Sequence, residues 1–132
     1  MGIRVLLVDD EKDLTAYLAK RLAARGMEVE TASDGASALQ AVQRSIPDVV
    51  VLDMLMPGMD GIQTLGALHE RHPDLPVIIL SGHGAEEQAA RGARLGAIDY
   101  LHKPCDLQQL VDAITGAVTA GSTPASSDRR RH

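Results

Sequence analysis

Five polar residues of this 132-residue chain stand where chemistry could be done: Asp9, Asp10, Asp53, Ser81 and Lys103. Each closes or closely follows a short apolar run. IRVLLV precedes Asp9 and Asp10, VVVL precedes Asp53, VIIL precedes Ser81, and AIDYL lies just before Lys103. Three carboxylates drawn to one place repel, and each resists ionisation unless a cation is present. A hard divalent ion answers that need, and Mg²⁺ suits a shallow site where waters complete the octahedron. Lys103 adds a mobile point charge and Ser81 a hydroxyl donor. Acid, metal, ammonium and hydroxyl together are suited to receive phosphoryl oxygens. One carboxylate can itself attack phosphorus and become an aspartyl phosphate, with the cations neutralising the developing charge. Taken singly, each residue is an ordinary polar group at a loop start; the signal is the set, spread over four strand ends.

For the set to meet, the runs must be parallel strands with their carboxyl ends on one edge. Ile3 to Val8 reads as a first buried strand. Leu14, Leu18 and Leu22 then recur at helical spacing up to a stop near Gly26. Met27 to Ala32 alternates, which predicts a strand at an edge of the sheet; its Thr31 and Ser33 read as structural. Asp34-Gly35 opens a second helix carrying Ala38, Leu39 and Val42, and the strand Val49 to Asp53 follows. Asp60 is placed to cap a third helix with Ile62, Leu65 and Leu68 inward. A fourth strand runs from Val77 to Leu80, a fourth helix over 85–95, and a fifth strand from Ala97 to Leu101. Asp106, with Gln109 placed for a capping box, begins a last helix whose buried stripe is Leu107, Leu110, Val111, Ile114 and Val118. Five strand–helix units with short connections predict a doubly wound α/β domain, a five-stranded parallel sheet with helices on both faces. The expected domain is 1–120, and 121–132 is a flexible polar tail or the start of a linker.

Composition narrows the function classes. Hydrophobic residues make up 45% and charged residues 23%, a folded rather than a disordered balance. With two Tyr, no Phe and no Trp, the chain lacks aromatic platforms for stacking bases, and a net charge of -5 argues against direct nucleic-acid binding. Cys105 is the only cysteine, which excludes an internal disulfide and a thiolate zinc cluster; it reads as a small hydrophobe. With no signal-peptide pattern and no long apolar stretch, no membrane association is expected, and the cytoplasm is the expected location.

The ordered elements LLVDDE (Leu6 to Glu11), DMLMPGMDG (Asp53 to Gly61), IILSGHG (Ile78 to Gly84) and GAIDYLHKP (Gly96 to Pro104) resemble the receiver domains of the two-component response-regulator family. The resemblance runs from about Ile3 to Val118 and implies a flavodoxin-like (βα)5 fold with strand order 2-1-3-4-5. It implies that Asp53 is the phosphoacceptor. Asp10, Asp53 and the Leu55 carbonyl would bind Mg²⁺ directly, and Asp9 through water. Lys103 would contact the phosphoryl group, with a cis peptide before Pro104. Ser81 would swing toward the phosphoryl oxygen while Tyr100 turns inward behind it. The implied donor is the phosphohistidine of a sensor histidine kinase, and the transfer is self-catalysed. The output surface would be the face made by the fourth helix, fifth strand and fifth helix, turned toward an output domain or a downstream protein.

Leu55 and His83 lie two residues beyond Asp53 and Ser81, at positions that in this family tune access of water to the acyl phosphate. The Leu55 side chain cannot orient a water, so slow self-dephosphorylation is expected; His83 either hydrogen-bonds water or caps its loop. Asp99 matches an acid used for dimerisation in one transcription-factor branch, but the last helix carries Val111, Asp112 and Ala113 where that branch has its basic partner. This departure argues against that mode and leaves a weak or phosphorylation-dependent homodimer. Three other readings compete. An aspartyl phosphohydrolase wants a general acid where Leu55 stands. A flavodoxin-like cofactor binder wants a phosphate-cradling loop where Asp9, Asp10 and Glu11 would repel phosphate. A pure docking module has no use for the acidic trio and Lys103. Within the leading reading, a single-domain phosphorelay intermediate and the receiver of a longer protein are both open.

Overall fold

The computed structural model of the chain describes residues 2–53, 61–81, 94, 96–102 and 106–122. In chain order these form β1 (Arg4–Val8), α1 (Lys12–Ala24), β2 (Glu28–Ala32), α2 (Gly35–Arg44), β3 (Val49–Asp53), α3 (Gly61–Arg71), β4 (Val77–Ser81), β5 (Asp99–His102) and α4 (Leu107–Ser122). The helix expected over 85–95 and the cap expected at Asp60 lie outside the described residues.

All five strands are parallel, in the order β2-β1-β3-β4-β5. Alternate residues of one strand point to opposite faces, and the central strands are apolar on both. Leu6 and Val8 of β1, Val50 and Leu52 of β3 and Ile79 of β4 join Ala38, Ala41 and Val42 of α2 and Leu65 and Leu68 of α3 in one core layer. Val5, Leu7, Val49, Val51, Ile78 and Leu80 face the other way and pack with Leu18 and Leu22 of α1 and Leu110 and Ile114 of α4. Every residue of β3 is buried. Each fully buried Leu or Ile contributes about 1.5–3 kcal/mol of transfer free energy, which makes β3 the anchor of both layers.

The edge strand β2 exposes Glu28, Glu30 and Thr31, and charge on an edge discourages pairing with another chain. Asp48 N–H donates to the Arg4 carbonyl (2.8 Å), and Arg4 N–H donates to the Asp48 carboxylate (2.8 Å). This reciprocal pair fixes β1 against β3 at the end of the sheet away from Asp53.

The helix boundaries follow local chemistry. After α1 the chain turns through Gly26, whose φ of 87° is open to glycine and unfavourable for residues with a Cβ. Asp34 caps α2 by accepting from Ser37 N–H at 2.7 Å, and the Ser37 hydroxyl side completes a capping box. At α4 the Gln109 side chain accepts from Asp106 N–H (3.1 Å), the back-reaching half of the expected box. One boundary departs from expectation. β5 starts at Asp99 rather than Ala97, because its ladder with β4 runs from Ile78–Asp99 to Ser81–His102 and is preceded by a turn at Gly96. Gly96 has φ 111°, and a Cβ there would meet His69 Nδ1 at 2.8 Å, so the turn requires glycine on both counts. α4 runs to Ser122. Ile62 is half-buried and packs against the core with Leu65 and Leu68, as expected, and Thr64 is fully buried beside them on α3.

Candidate functional site

The strand order reverses direction between β1 and β3: from β1 the chain moves outward to β2, then returns to the other side of β1. Open α/β sheets bind ligands in the crevice at such a point, outside the carboxyl ends of the strands. Val8 and Leu52 are register partners, so the next residues, Asp9 and Asp53, leave the two strands side by side. Asp9 N–H donates to the Ala32 carbonyl (3.1 Å), which extends the β1–β2 pairing one residue and holds the Asp9 backbone. Asp53 is the last residue of β3 and is paired with Leu80 of β4.

Asp9, Asp10 and Asp53 each offer a carboxylate oxygen, and these oxygens lie within 4.8 Å of one another. Asp9 and Asp53 are buried, at 7% and 5% exposure, and Asp10 is exposed. Two carboxylates thus line the floor of the site and one guards its mouth. Three anionic oxygens so close, with two shielded from water, repel unless a cation shares them. The donor set is all oxygen, hard and negatively charged, which fits Mg²⁺ and excludes a soft thiolate-seeking metal.

The structure brings together the acidic trio among the residues expected from sequence. Ser81 ends β4 and is paired with His102, so its backbone reaches the same edge of the sheet as Asp53; its side chain is outside the described residues. Lys103, Leu55 and His83 also lie outside them, as do Pro104 and Cys105. Tyr100 pairs with Ile79 on β5, is half-buried, and packs against the core layer made with α2 and α3. Asp99 is exposed, and its carboxylate accepts from Tyr100 N–H (2.8 Å). Thr31 and Ser33 are exposed at the end of β2.

One contributor escaped the sequence reading. Glu11 N–H donates to Asp9 Oδ1 at 3.0 Å and so orients the first carboxylate of the trio. The signal available was the aspartate-turn pattern, in which an Asp side chain accepts from the N–H two residues on.

Comparison with known proteins agrees with this geometry. The sequence profile of the response regulator receiver domain matches residues 5–115. The chain is 42% identical over 125 residues to the transcriptional regulatory protein PrrA of Mycobacterium bovis, covering 94% of this chain and 54% of PrrA. It is 38% identical over 115 residues to the DNA-binding transcriptional regulator NtrC of Escherichia coli, covering 87% of this chain and 24% of NtrC. The chain therefore spans about half the length of PrrA and about a quarter of NtrC. Among solved structures, a response regulator receiver domain protein from Clostridium thermocellum matches with a TM-score of 0.85 at 34% identity, over 89% of this chain and 94% of that one. The receiver domain of NtrX from Brucella abortus matches with a TM-score of 0.83 at 38% identity, over 87% and 98%. An acidic trio at the β1–β3 crevice of a 2-1-3-4-5 sheet, together with a profile match over nearly the whole folded region, leads to one conclusion: this chain belongs to the response regulator receiver domain family.

Proposed function

We propose that this receiver domain is a switch that takes a phosphoryl group from the phosphohistidine of a sensor kinase onto Asp53. The gathering of Asp9, Asp10 and Asp53 at one strand edge carries this reading. An Asp53 carboxylate oxygen forms the new bond to phosphorus as the P–N bond of the donor breaks, and the electron pair of that bond returns to the imidazole nitrogen. Asp9, Asp10 and Asp53 are the residues that would hold Mg²⁺, with the Leu55 carbonyl as a further ligand. When bound, the ion offsets the carboxylate repulsion and the charge gathering on the phosphoryl oxygens. Lys103, the residue after β5, supplies a second positive charge to those oxygens. The burial of Asp53 keeps bulk water from its carboxylate and favours transfer over hydrolysis.

The new dianion then biases a two-state surface, with Ser81 drawn toward the phosphoryl oxygens and Tyr100 following from β5. Its readout is the face made by β5, α4 and the segment 82–95, turned toward an output domain, a downstream protein or a second copy of the chain. The folded unit is the receiver, the residues beyond α4 serve as a tail or linker, and the setting is the cytoplasm with no membrane contact of its own.

The test is incubation with a small phosphodonor, with and without Mg²⁺, followed by intact-mass measurement of wild type and Asp53→Ala. The expected result is a Mg²⁺-dependent gain of one phosphoryl group that Asp53→Ala loses. No gain with any donor, or an equal gain in Asp53→Ala, overturns the proposal.

A further inference from the structure

Asp9 presents its carboxylate from the short segment between β1 and α1, with its main chain held by the N–H bond to the Ala32 carbonyl at 3.1 Å. The Glu11 N–H donates to its side chain at 3.0 Å, so the placement of the Glu11 main chain contributes to the orientation of the carboxylate. Glu11 is the N-cap of α1, with φ -83° and ψ 95°, and its side chain makes no capping hydrogen bond. Most helix starts are secured by a Ser, Thr, Asp or Asn at that position; here the cap residue is held from the other side. The Glu11 carbonyl accepts twice from Thr15, from the backbone N–H at 2.9 Å and from Oγ1 at 2.8 Å.

Thr15 is buried at 7% exposure, on the same face of α1 as Leu18 and Leu22. A threonine there gives up apolar burial and side-chain freedom that a leucine would use better. Its hydroxyl back-bonds to the carbonyl four residues earlier, as buried helical threonines commonly do. Here that carbonyl belongs to the residue whose N–H holds a carboxylate of the acidic trio.

We infer that Thr15 is a positioning residue of the metal site: its hydroxyl fixes the Glu11 main chain so that the Glu11 N–H keeps Asp9 facing Asp10 and Asp53. This rests on the Mg²⁺ reading above. The chain of contacts runs from Thr15 Oγ1 to the Glu11 carbonyl, and from the Glu11 N–H to Asp9 Oδ1, with no contact between Thr15 and the cation. Partners beyond the direct ligands tune metal affinity through such links.

The test is a MgCl₂ titration followed by backbone amide chemical shifts, with thermal midpoints measured alongside, on wild type, Thr15→Val, Thr15→Ser and Asp53→Ala. Thr15→Val keeps the shape and branching and removes only the hydroxyl. It is expected to weaken Mg²⁺ binding about fivefold, the worth of one hydrogen bond, while Thr15→Ser stays within about twofold of wild type. Should Thr15→Val not fold, Thr15→Ala set against Thr15→Ser carries the same comparison. A lowered thermal midpoint with unchanged Mg²⁺ affinity overturns the inference, because a merely structural threonine predicts that result. A wild type whose amides ignore Mg²⁺ as Asp53→Ala does overturns the reading of the acidic trio, and this inference with it.

Discussion

Asp9 and Asp10 are chain neighbours with opposite surroundings, one buried on the floor of the site and one exposed at its mouth. The buried one is held by a main-chain donor, while the exposed one can adjust its side chain to an arriving ion at little cost. Leu55 belongs to the same scale. With an aliphatic side chain two residues past Asp53, no side-chain group at that position can align a water for attack on the proposed acyl phosphate. Leu55→Asn supplies an amide that can, so the half-life of the phosphorylated protein should shorten about fivefold, the worth of one hydrogen bond to that water. Following the phosphorylated mass over time checks this, and an unchanged or longer half-life sinks it.

Among the elements, α1 and α2 solve the same problem in different ways. α1 begins without a side-chain cap, while α2 has Asp34 and Ser37 capping each other. Donation from the Ser37 N–H, and next from the Ser37 hydroxyl, holds the Asp34 carboxyl below its ordinary value of 3.8. The unfolded chain therefore binds a proton more readily than the folded one. The capping contribution is fully present above the unfolded value and fades as pH falls through the lower folded value. Asp34→Ala should lower the urea midpoint at pH 7, and its difference from wild type should narrow as the pH is taken below about 4. A difference that stays constant into acid would show that the charge of Asp34 plays no part.

For the whole molecule, doubly wound packing makes the site and the core one construction. β3 is buried on both faces and ends in Asp53, so the proposed phosphoacceptor stands on a central, fully buried strand of the sheet. The acidic trio stores electrostatic repulsion that a bound cation relieves, and a ligand that binds only the folded state raises stability by mass action. At ten times its dissociation constant Mg²⁺ should add about 1.4 kcal/mol. For a domain of this size that is roughly 5 °C in the thermal midpoint. Chelation should reverse the gain, and Asp10→Ala and Asp53→Ala should flatten the response. Thermal melts across a MgCl₂ series with matched ionic strength check this; an equal gain in all three proteins would point to bulk salt rather than the site.

Much of this was legible in the linear sequence, and for a physical reason. Continuous apolar runs such as VVVL can be buried only in a sheet covered on both faces, and amphipathic spacing such as Leu14, Leu18 and Leu22 can be buried only as a helix. Alternation of the two leaves parallel strands, which put Asp9, Asp10 and Asp53 on one edge before any coordinates are known. The exact bounds of β5 were less legible: its ladder with β4 covers Asp99 to His102, although Ile98 N–H already donates to the Val77 carbonyl just ahead of it (3.0 Å). Residue type likewise did not signal that Thr64 would be fully buried on α3. Sequence alone thus determined that Asp9, Asp10 and Asp53 share one edge of the sheet, because strand direction and residue type are properties of the chain. Only the tertiary structure decided how they meet. The separation of three carboxylates within 4.8 Å and the burial of two with exposure of the third arise from through-space register between β1 and β3, which no local pattern encodes.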